Sequence, residues 1–508
     1  MRGALTLAMT VLALAPLGGQ DFRATITGHV TDQSGAAIPD AQVRAVRRDT
    51  NQAVETRTNR EGYYTLAYLQ PSTYDVEVTA AGFHKLRREN VTLMVAEKLE
   101  LPLTLALGTV SQEITVTADI AEVVQSADAS GGLNFDAVMT SEYPLNGRQV
   151  YMLMDLSPGV LFTQEEFGKS GHSGTRGWDV NGNYVMNGGV VGTNSFSLNG
   201  APISLTGSWQ LAPNADAIQE FKVMTNTYDA AIGRTGGGSV NTTLKSGSNA
   251  WHGTAFEFMR NSVLDSNYTQ NNQVGAPRGK HITNQWGGTL GGALRRNKDF
   301  VFWSFEGFRE RVPFPLVANT PPLDLRDGQN FAAYRMNIYD PLTARDCVPG
   351  QDTASPNTAC SSPYIREPFP GNVLPASRMS PIGKKILSYY PAPNLPGLTQ
   401  NFVAAGNVGI YRYDQPMGRW DRVLGDRDRF YTIVTFQKGH EFRNQNGFPP
   451  PASAGNMWSQ RQNYNFIADW TRILTPTAIL DVRASFGRFT SYFPYALIEA
   501  GFTAQDLG

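Results

Sequence analysis

The sequence contains few cysteines and histidines, and its net charge is close to zero. It has two cysteines, six histidines and a formal net charge of −1 over 508 residues. The histidines are scattered and no HExxH motif occurs, which argues against a zinc hydrolase. No Gly-x-Ser-x-Gly motif marks a hydrolase nucleophile, and no basic patch points to nucleic acid. We therefore expect a protein that is not an enzyme and has no metal site, no cofactor and no nucleic-acid partner.

Long apolar runs are also missing beyond the first 20 residues. Residues 1–20 have Arg2 at a positive start and an apolar core from Ala4 to Leu17. This pattern predicts a secretory signal peptide that is too short to span a membrane. In an exported protein we expect Cys347 and Cys360 to form one local disulfide. Such a chain could still cross a membrane by β-strands, whose sequence signal is weaker.

Glycine, proline and aromatic residues are plentiful, whereas charged residues make up only 17%. This composition favours many short strands and turns, so we predict a mainly β protein. The segment GRTGGGSVNTTLKSGSN (233–249) could be taken for the phosphate-binding loop of an NTPase. A phosphate-binding loop needs Gly before its Lys, but Lys245 follows Leu244. Residues 239–244 are instead predicted to form a strand between two turns.

Residues 23–107 show the alternation of a small β-sandwich. Turns separate short strands at intervals of about ten residues, as in sandwich folds. The residues predicted to share core faces are Tyr64, Leu66 and Tyr68; Tyr74, Val76 and Val78; and Leu99, Leu101, Leu103, Leu105 and Leu107.

This block resembles the carboxypeptidase regulatory-like domain. The resemblance is carried by GHVTDQSGAAIPDAQV (28–43) and TNREGYYTLAYLQPSTYDVEVTAAGF (58–83). It implies a prealbumin-like sandwich of the carbohydrate-binding-like fold rather than a peptidase. A fold does not establish a function. Tyr63 could stack on a sugar, although most surface tyrosines bind nothing.

Residues 108–120 (GTVSQEITVTADI) are predicted to be a connector with a β-prone centre. Such a peptide can add itself to the edge of another protein's sheet. It could be the last strand of the sandwich or the first of the next domain. The candidate residues for this contact are Glu113, Ile114, Thr115, Val116, Thr117 and Ala118.

Residues 121–249 are predicted to form a mixed α/β domain, with short helices at 149–156 and 215–221. The block resembles the plug domain of TonB-dependent outer-membrane receptors, in the Oar-like branch. Asn199 stands where that family usually has Asp, which keeps the turn but removes a charge. The residues that carry the resemblance are Asn146, Gly147, Arg148, Asn199, Gly200, Glu220, Phe221, Gly236, Gly237, Gly238, Lys245, Ser246 and Gly247.

Residues 250–508 are predicted to be the first part of an antiparallel transmembrane β-barrel. Their strands alternate apolar and polar residues and carry aromatics near their ends, as in outer-membrane barrels. The Pro-rich segment 311–427 is predicted to be a long extracellular loop, in which one or two strands without a clear pattern stay open as an alternative. The strand candidates are TAFEFMR, QWGGTLGGAL, FVFWSFEGF, DRFYTIVTFQ, YNFIADW and AILDVRASFG.

The family resemblance continues through IYDPLTARDC, residues 369–394 and GDRDRFYTIVTFQ. The barrels of this family need about 22 strands, many more than the candidates found here. An open barrel edge in lipid leaves backbone groups unpaired at a cost of several kcal/mol each. We therefore expect either a fragment of a longer protein or an interrupted gene.

The domain order predicts an outer-membrane receptor with its sandwich in the periplasm. The resemblance implies energised import of a bulky substrate, with oligosaccharide among the candidates. It also implies two partners, outer-membrane lipid and a TonB–ExbB–ExbD-type energy complex that binds the connector. Two alternatives stay open: a surface glycan-binding or adhesion protein without active transport, and a truncated receptor without function.

Overall fold

Three β-rich units follow one another along the chain. In this computed structural model the described residues are 21–108, 113–117, 131–163, 184–203, 211–226, 228, 232–233, 235–267, 269, 272, 278–313, 316–404, 408–425, 427–444, 448, 451–452, 456–475, 478–492 and 501–507. The predicted signal peptide lies outside them. Within these ranges, no helix has the length and apolar character needed to cross a membrane.

The first unit is a sandwich of two sheets, as predicted. One sheet has the order β4–β1–β7, with β8 also pairing with β1, and the other has the order β3–β2–β5–β6–β9. The strands are β1 (Ala24–Asp32), β2 (Gln42–Arg47), β3 (Ala53–Arg57), β4 (Tyr63–Leu69), β5 (Ser72–Thr79), β6 (Lys85–Leu93), β7 (Lys98–Glu100), β8 (Leu103–Leu105) and β9 (Glu113–Thr117).

The sandwich core follows the predicted alternation except at two positions. Tyr68 is only half-buried, because its φ is 60° and the β1–β4 register is irregular at this point. Leu69 occupies the core in its place. Leu107 is 73% exposed because β8 ends two residues before it. The other residues predicted for the three core faces are all buried.

The second unit, here called the central domain, contains a five-stranded sheet in the order β10–β15–β16–β13–β14 and a hairpin of β11 with β12. It also has 3-10 turns at Asn146–Arg148, Val150–Leu156 and Ala215–Ala217. Its other elements are β10 (Gly131–Asp136), α1 (Ala137–Glu142), β11 (Val160–Phe162), β12 (Tyr184–Met186), β13 (Ser195–Leu198), β14 (Ala201–Pro202), β15 (Ile218–Asn226) and β16 (Ser239–Leu244).

The helix predicted at 215–221 is wrong beyond Ala217. From Ile218 onward the chain is a strand that pairs with β10 on one side and β16 on the other. Both of its faces are buried, so its residues show no clean period of two. A strand buried on both faces cannot be told from a short helix by periodicity alone.

The third unit is a curved seven-stranded antiparallel sheet, here called the wall, in the order β17–β18–β19–β24–β25–β26–β27. Its strands are β17 (His252–Asn261), β18 (Ile282–Arg295), β19 (Asp299–Pro313), β24 (Val408–Val423), β25 (Asp428–Asn444), β26 (Asn456–Thr475) and β27 (Ala478–Tyr492). The segment between β19 and β24 holds β20 (Leu316–Ala318), α2 (Leu323–Arg326), β21 (Arg345–Asp346), β22 (Tyr364–Ile365), α3 (Pro381–Tyr389) and β23 (Phe402–Ala404). Single 3-10 turns lie at Ser262–Leu264, Phe331–Tyr334, Pro341–Thr343, Pro370–Asn372, Ala376–Arg378 and Ala504–Leu507.

The predicted loop 311–427 is too long, because it conceals β24. The buried face of this strand carries Tyr411, Tyr413 and Met417. Its outer face carries charges such as Arg412 and Asp414, so it lacks the apolar alternation that revealed the other strands. On those strands outward apolar residues such as Trp303, Val434, Val482 and Phe486 are exposed as predicted. β17 is an exception, because its aromatic residues Phe256 and Phe258 face the central domain, under Arg148.

The two ends of the wall differ in the length of their connections. At the end that meets the sandwich, only two to four residues separate β18 from β19, β24 from β25 and β26 from β27. There the Asn51 side-chain amide donates to Asn297 Oδ1 at 3.2 Å. The longer connections, such as 262–281 and 314–407, lie at the opposite end.

Glycines let aromatic rings lie flat on neighbouring wall strands. A Cβ at Gly292 would be 2.1 Å from the ring of Trp251, and one at Gly307 would be 2.6 Å from the ring of Trp286. Such close approach is a common role of glycine within a strand.

Candidate functional site: the seat of the central domain

The central domain lies against the concave face of the wall, and we call this contact the seat. One buried cluster contains residues of both units. Phe221 and Tyr151 contribute from the central domain, while Phe302, Tyr431 and Ile467 contribute from three wall strands. The apolar contact therefore joins the two units in one continuous core.

The Asn146-Gly147-Arg148 stretch brings a charge into the seat. Gly147 and Arg148 both have positive φ, at 65° and 54°, which turns the Arg148 side chain out of the 3-10 turn. Arg148 Nη2 lies 2.6 Å from Asp216 Oδ2. The guanidinium also lies over the rings of Phe256 and Phe258, 4.6 and 4.5 Å from their centroids. Of Asn146 only the backbone is described.

Wall residues that the sequence did not single out complete this side of the seat. Gln285 Nε2 donates to Gly147 O at 3.3 Å, and Gln415 Nε2 donates to Ala212 O at 2.8 Å. The hydroxyl of Tyr413 donates to the buried carboxylate of Glu306. The signal for these residues is that buried polar side chains alternate with outward apolar ones along a strand.

Asn199 and Gly200 form a buried left-handed turn with φ values of 47° and 74°. Asn199 Oδ1 accepts from Leu244 N at 3.1 Å, and the Tyr431 hydroxyl donates to Asn199 O at 3.3 Å. The amide oxygen thus supplies the acceptor that a carboxylate would supply. Because the side chain is fully buried, the neutral amide avoids the cost of burying a charge.

Glu220 and Phe221 lie side by side on β15 but contact different partners. The Phe221 ring is stacked on Phe135 with centroids 4.6 Å apart. Burial, together with the nearby Glu97 carboxylate, raises the pKa of Glu220 to about 8, whereas a hydrogen bond from the Val95 backbone opposes the shift. Glu97 belongs to the sandwich, so a carboxyl pair marks the junction of the first two units.

The triplet Gly236 to Gly238 lies where a larger residue would collide with neighbouring side chains. A Cβ at Gly237 would be 2.2 Å from Asn194 Oδ1, and one at Gly238 would be 2.0 Å from Met186 Sδ. Gly238 N also donates to Asn194 Oδ1 at 3.0 Å. The triplet is therefore a close-packed turn of the central domain.

Lys245, Ser246 and Gly247 carry the chain from the central domain into the wall. Burial lowers the pKa of Lys245, although the nearby Asp216 opposes this. Ser246 Oγ accepts from Arg47 Nη2 of the sandwich at 3.1 Å. A Cβ at Gly247 would be only 2.4 Å from Val301 O, so the backbone itself touches the wall here.

The connector candidates Glu113 to Thr117 form β9, while Ala118 lies outside the described residues. β9 pairs in parallel with β6, from Lys85 opposite Glu113 to Glu89 opposite Thr117. Of the two placements that the sequence left open, the structure shows the last strand of the sandwich. None of the described strands pairs with the other edge of β9, and Ile114 is 40% exposed.

The segment between β19 and β24 holds the two cysteines. Cys347 and Cys360 are joined by a disulfide. Within the loop that they close, Asp352 forms an ion pair with Arg345 at 2.6 Å, which lowers the pKa of the Asp352 carboxyl to about 2. In the described part of the chain, no group of three or more His, Cys, Asp or Glu side chains is arranged to hold a metal ion.

Models of known protein families match both the wall and the sandwich. Residues 243–507 match the outer membrane beta barrel domain model. The chain belongs to this family. This membership places the protein in the outer membrane. Residues 25–106 separately match the carboxypeptidase regulatory-like domain, so the resemblance stated for the first unit is confirmed.

Individual relatives are longer than this chain. This chain is 25% identical over 304 residues to the TonB-dependent transporter Oar of Myxococcus xanthus. The match covers 56% of this chain and 26% of Oar. Among solved structures, the outer-membrane transporter YddB of Escherichia coli has a TM-score of 0.43 and 10% identity over 72% of this chain and 40% of YddB. The siderophore receptor PirA of Acinetobacter baumannii has a TM-score of 0.34 and 13% identity over 72% of this chain and 45% of PirA.

Proposed function

We propose that this chain is part of an outer-membrane receptor that imports a bulky substrate with energy from a TonB–ExbB–ExbD-type complex. The observation that carries the proposal is the seat. The central domain fills the concave face of the wall and shares its buried core. A large substrate could pass only if this packing were disturbed, which requires work. The likeness to Oar supports the same proposal.

The orientation follows from the connections between wall strands. Outer-membrane barrels have short periplasmic turns and longer extracellular loops. The sandwich meets the end with the short turns, so we place it in the periplasm. The disulfide-closed segment between β19 and β24 then faces outward, where it would meet the substrate.

We assign the contact with the energy complex to β9. An edge strand presents a row of backbone groups to which a partner strand can add. Thr115 is exposed on this edge strand, and β9 precedes the first strand of the central domain in the chain. A pull on β9 would therefore reach the central domain through the chain itself.

The structure gives no support to sugar binding through Tyr63. This side chain is 59% exposed, but one face of its ring is stacked on His29 at 4.6 Å. His29 thus already provides the stacking partner that a sugar ring would provide on that face of Tyr63. Oligosaccharide remains one candidate for the imported substrate, with the outward loops as its binding surface.

Site-specific photo-crosslinking in cells that carry the full-length gene tests the proposal. A photoreactive residue at Thr115 should give an adduct with TonB that disappears in cells lacking TonB. The matched control is Thr104, another exposed threonine on a sandwich strand, which should give none. Absence of the Thr115 adduct, in cells where the receptor reaches the outer membrane, would count against this coupling segment.

A further inference from the structure

The first residues of the sandwich are buried in the other two units. Phe22 is 1% exposed and belongs to the core cluster of the central domain, where its ring meets Tyr431 of the wall edge-on at 6.2 Å. Val95, from the turn before β7, joins the same cluster. The sandwich is therefore packed into the seat rather than only tethered to it.

Arg23, the next residue, is enclosed by carboxylates: its neighbour Asp21, at 2.9 Å, and two aspartates of the wall. Its guanidinium lies 2.8 Å from Asp481 on β27 and 3.5 Å from Asp469 on β26. It also donates to Thr471 at 2.8 Å and lies over the ring of Tyr68 at 4.3 Å. Only 3% of its side chain is exposed.

A second contact ties the sandwich to the end of the central domain. Arg419 of β24 donates to Leu244 O at 2.7 Å and to Gln70 of the sandwich at 3.0 Å. Arg47 of the sandwich donates to Ser246 at 3.1 Å. All three units meet here, next to the point where the central domain joins the wall.

From these contacts we propose that the sandwich is a retaining clamp for the central domain, with Arg23 between Asp469 and Asp481 as its release point. While the clamp is closed, the sandwich holds the central domain in the wall from the short-turn side. Opening must then begin with separation of the sandwich from the wall. The role of the clamp in energised opening rests on the proposed function, whereas the docking itself does not.

The chemistry of the clamp suits a contact that must open again. Desolvation offsets much of the attraction in a buried ion pair, so such a pair gives geometric specificity at little net stability. After separation, arginine and aspartate are both well hydrated, which lowers the cost of opening even though Phe22 and Val95 must also leave the apolar core. Removing Arg23 alone leaves Asp469 and Asp481 to share Arg483, which lies 2.8 Å from Asp469 and 3.9 Å from Asp481. That imbalance should release the sandwich.

Crosslinking in the full-length protein measures docking without any energy source. The side-chain amides of Asn51 and Asn297 meet across the interface of the sandwich and the wall, so a short bis-maleimide should link N51C to N297C in the closed clamp. We expect R23M to reduce crosslinking at least about tenfold and to raise spontaneous ion conductance in planar bilayers. The matched control is R57M, which removes the exposed Arg57–Asp40 pair of the same sandwich and should change neither.

A second variant separates loss of the clamp from misfolding. R23M with D481N leaves Asp469 paired with Arg483 at 2.8 Å and should recover part of the crosslinking that R23M alone loses. If R23M crosslinks like the unmodified receptor, the clamp is refuted. If R23M undocks without raising conductance, the sandwich docks but does not retain the central domain, and the proposal also fails. Neither readout needs TonB, so a failed clamp is distinguishable from failure of the transport proposal.

Discussion

Replacement of Arg148 by methionine should loosen the central domain in its seat. The ion pair with Asp216 is mostly buried, with 13% of each side chain exposed. The same guanidinium lies over the rings of Phe256 and Phe258. Methionine would keep much of the apolar contact with these rings but leave Asp216 without its closest cation.

The stability lost on replacing Arg148 by methionine lies between two limits. A solvent-exposed ion pair contributes about 0.2–1 kcal/mol, whereas removing one partner of a fully buried pair costs about 3–5 kcal/mol. Each lost cation–π contact adds about 0.5–1 kcal/mol. Because the pair keeps some solvent contact, we expect R148M to cost about 2–4 kcal/mol. R148K keeps the charge but loses the planar fork, so its cost should be about 1 kcal/mol.

Pulse proteolysis of the full-length protein in detergent, across a urea series, would measure this loss. The cleavage midpoint of the central domain should fall in the order unmodified protein, R148K, R148M, while fragments of the wall stay protected. Adding D216L to R148M should recover part of the loss, because it removes the unpaired carboxylate. If R148M and the unmodified protein share one midpoint, the ion pair does not hold the central domain.

Three further predictions concern other parts of the molecule. Burial raises the pKa of Glu220 to about 8 from 4.5, so the folded protein binds this proton more tightly and the central domain should lose stability as pH rises from 4.5 towards 8. E220Q should flatten that dependence in the urea assay. Gly247→Ala should move the seat apart because its Cβ would meet Val301 O at 2.4 Å, which faster hydrogen exchange in β16 would reveal. A disulfide between cysteines at Arg87 and Thr115, opposite each other in β6 and β9, should slow TonB-dependent uptake until it is reduced. A T73C/T92C disulfide elsewhere in the sandwich should not.

Local patterns predicted the kind of element better than the contacts between elements. The sandwich strands and most wall strands were predictable because each has one apolar and one polar face. β24 was missed because its outer face carries Arg412 and Asp414. The end of the helix predicted after Ala215 was wrong because β15 is buried on both faces.

The partners of the candidate residues could not be predicted in this way. Arg148 was identified by resemblance, but Asp216 lies 68 positions away along the chain. Arg23 and Asp481 are separated by 458 positions. No local pattern links such residues, because the folding of the central domain brings Arg148 to Asp216 and the docking of the sandwich on the wall brings Arg23 to Asp481.

The glycines of β18 and β19 have a consequence for the curvature of the wall. Where a strand lacks Cβ atoms, it can coil more sharply, and glycine kinks are a recognised means of closing sheets into barrels. The rings of Trp251 over Gly292 and of Trp286 over Gly307 cover this bared backbone. Trp286 faces outward, because its neighbour Gln285 contacts the central domain, so a methyl group at Gly307 would crowd the convex face, displace the indole and leave the backbone of β19 open to lipid.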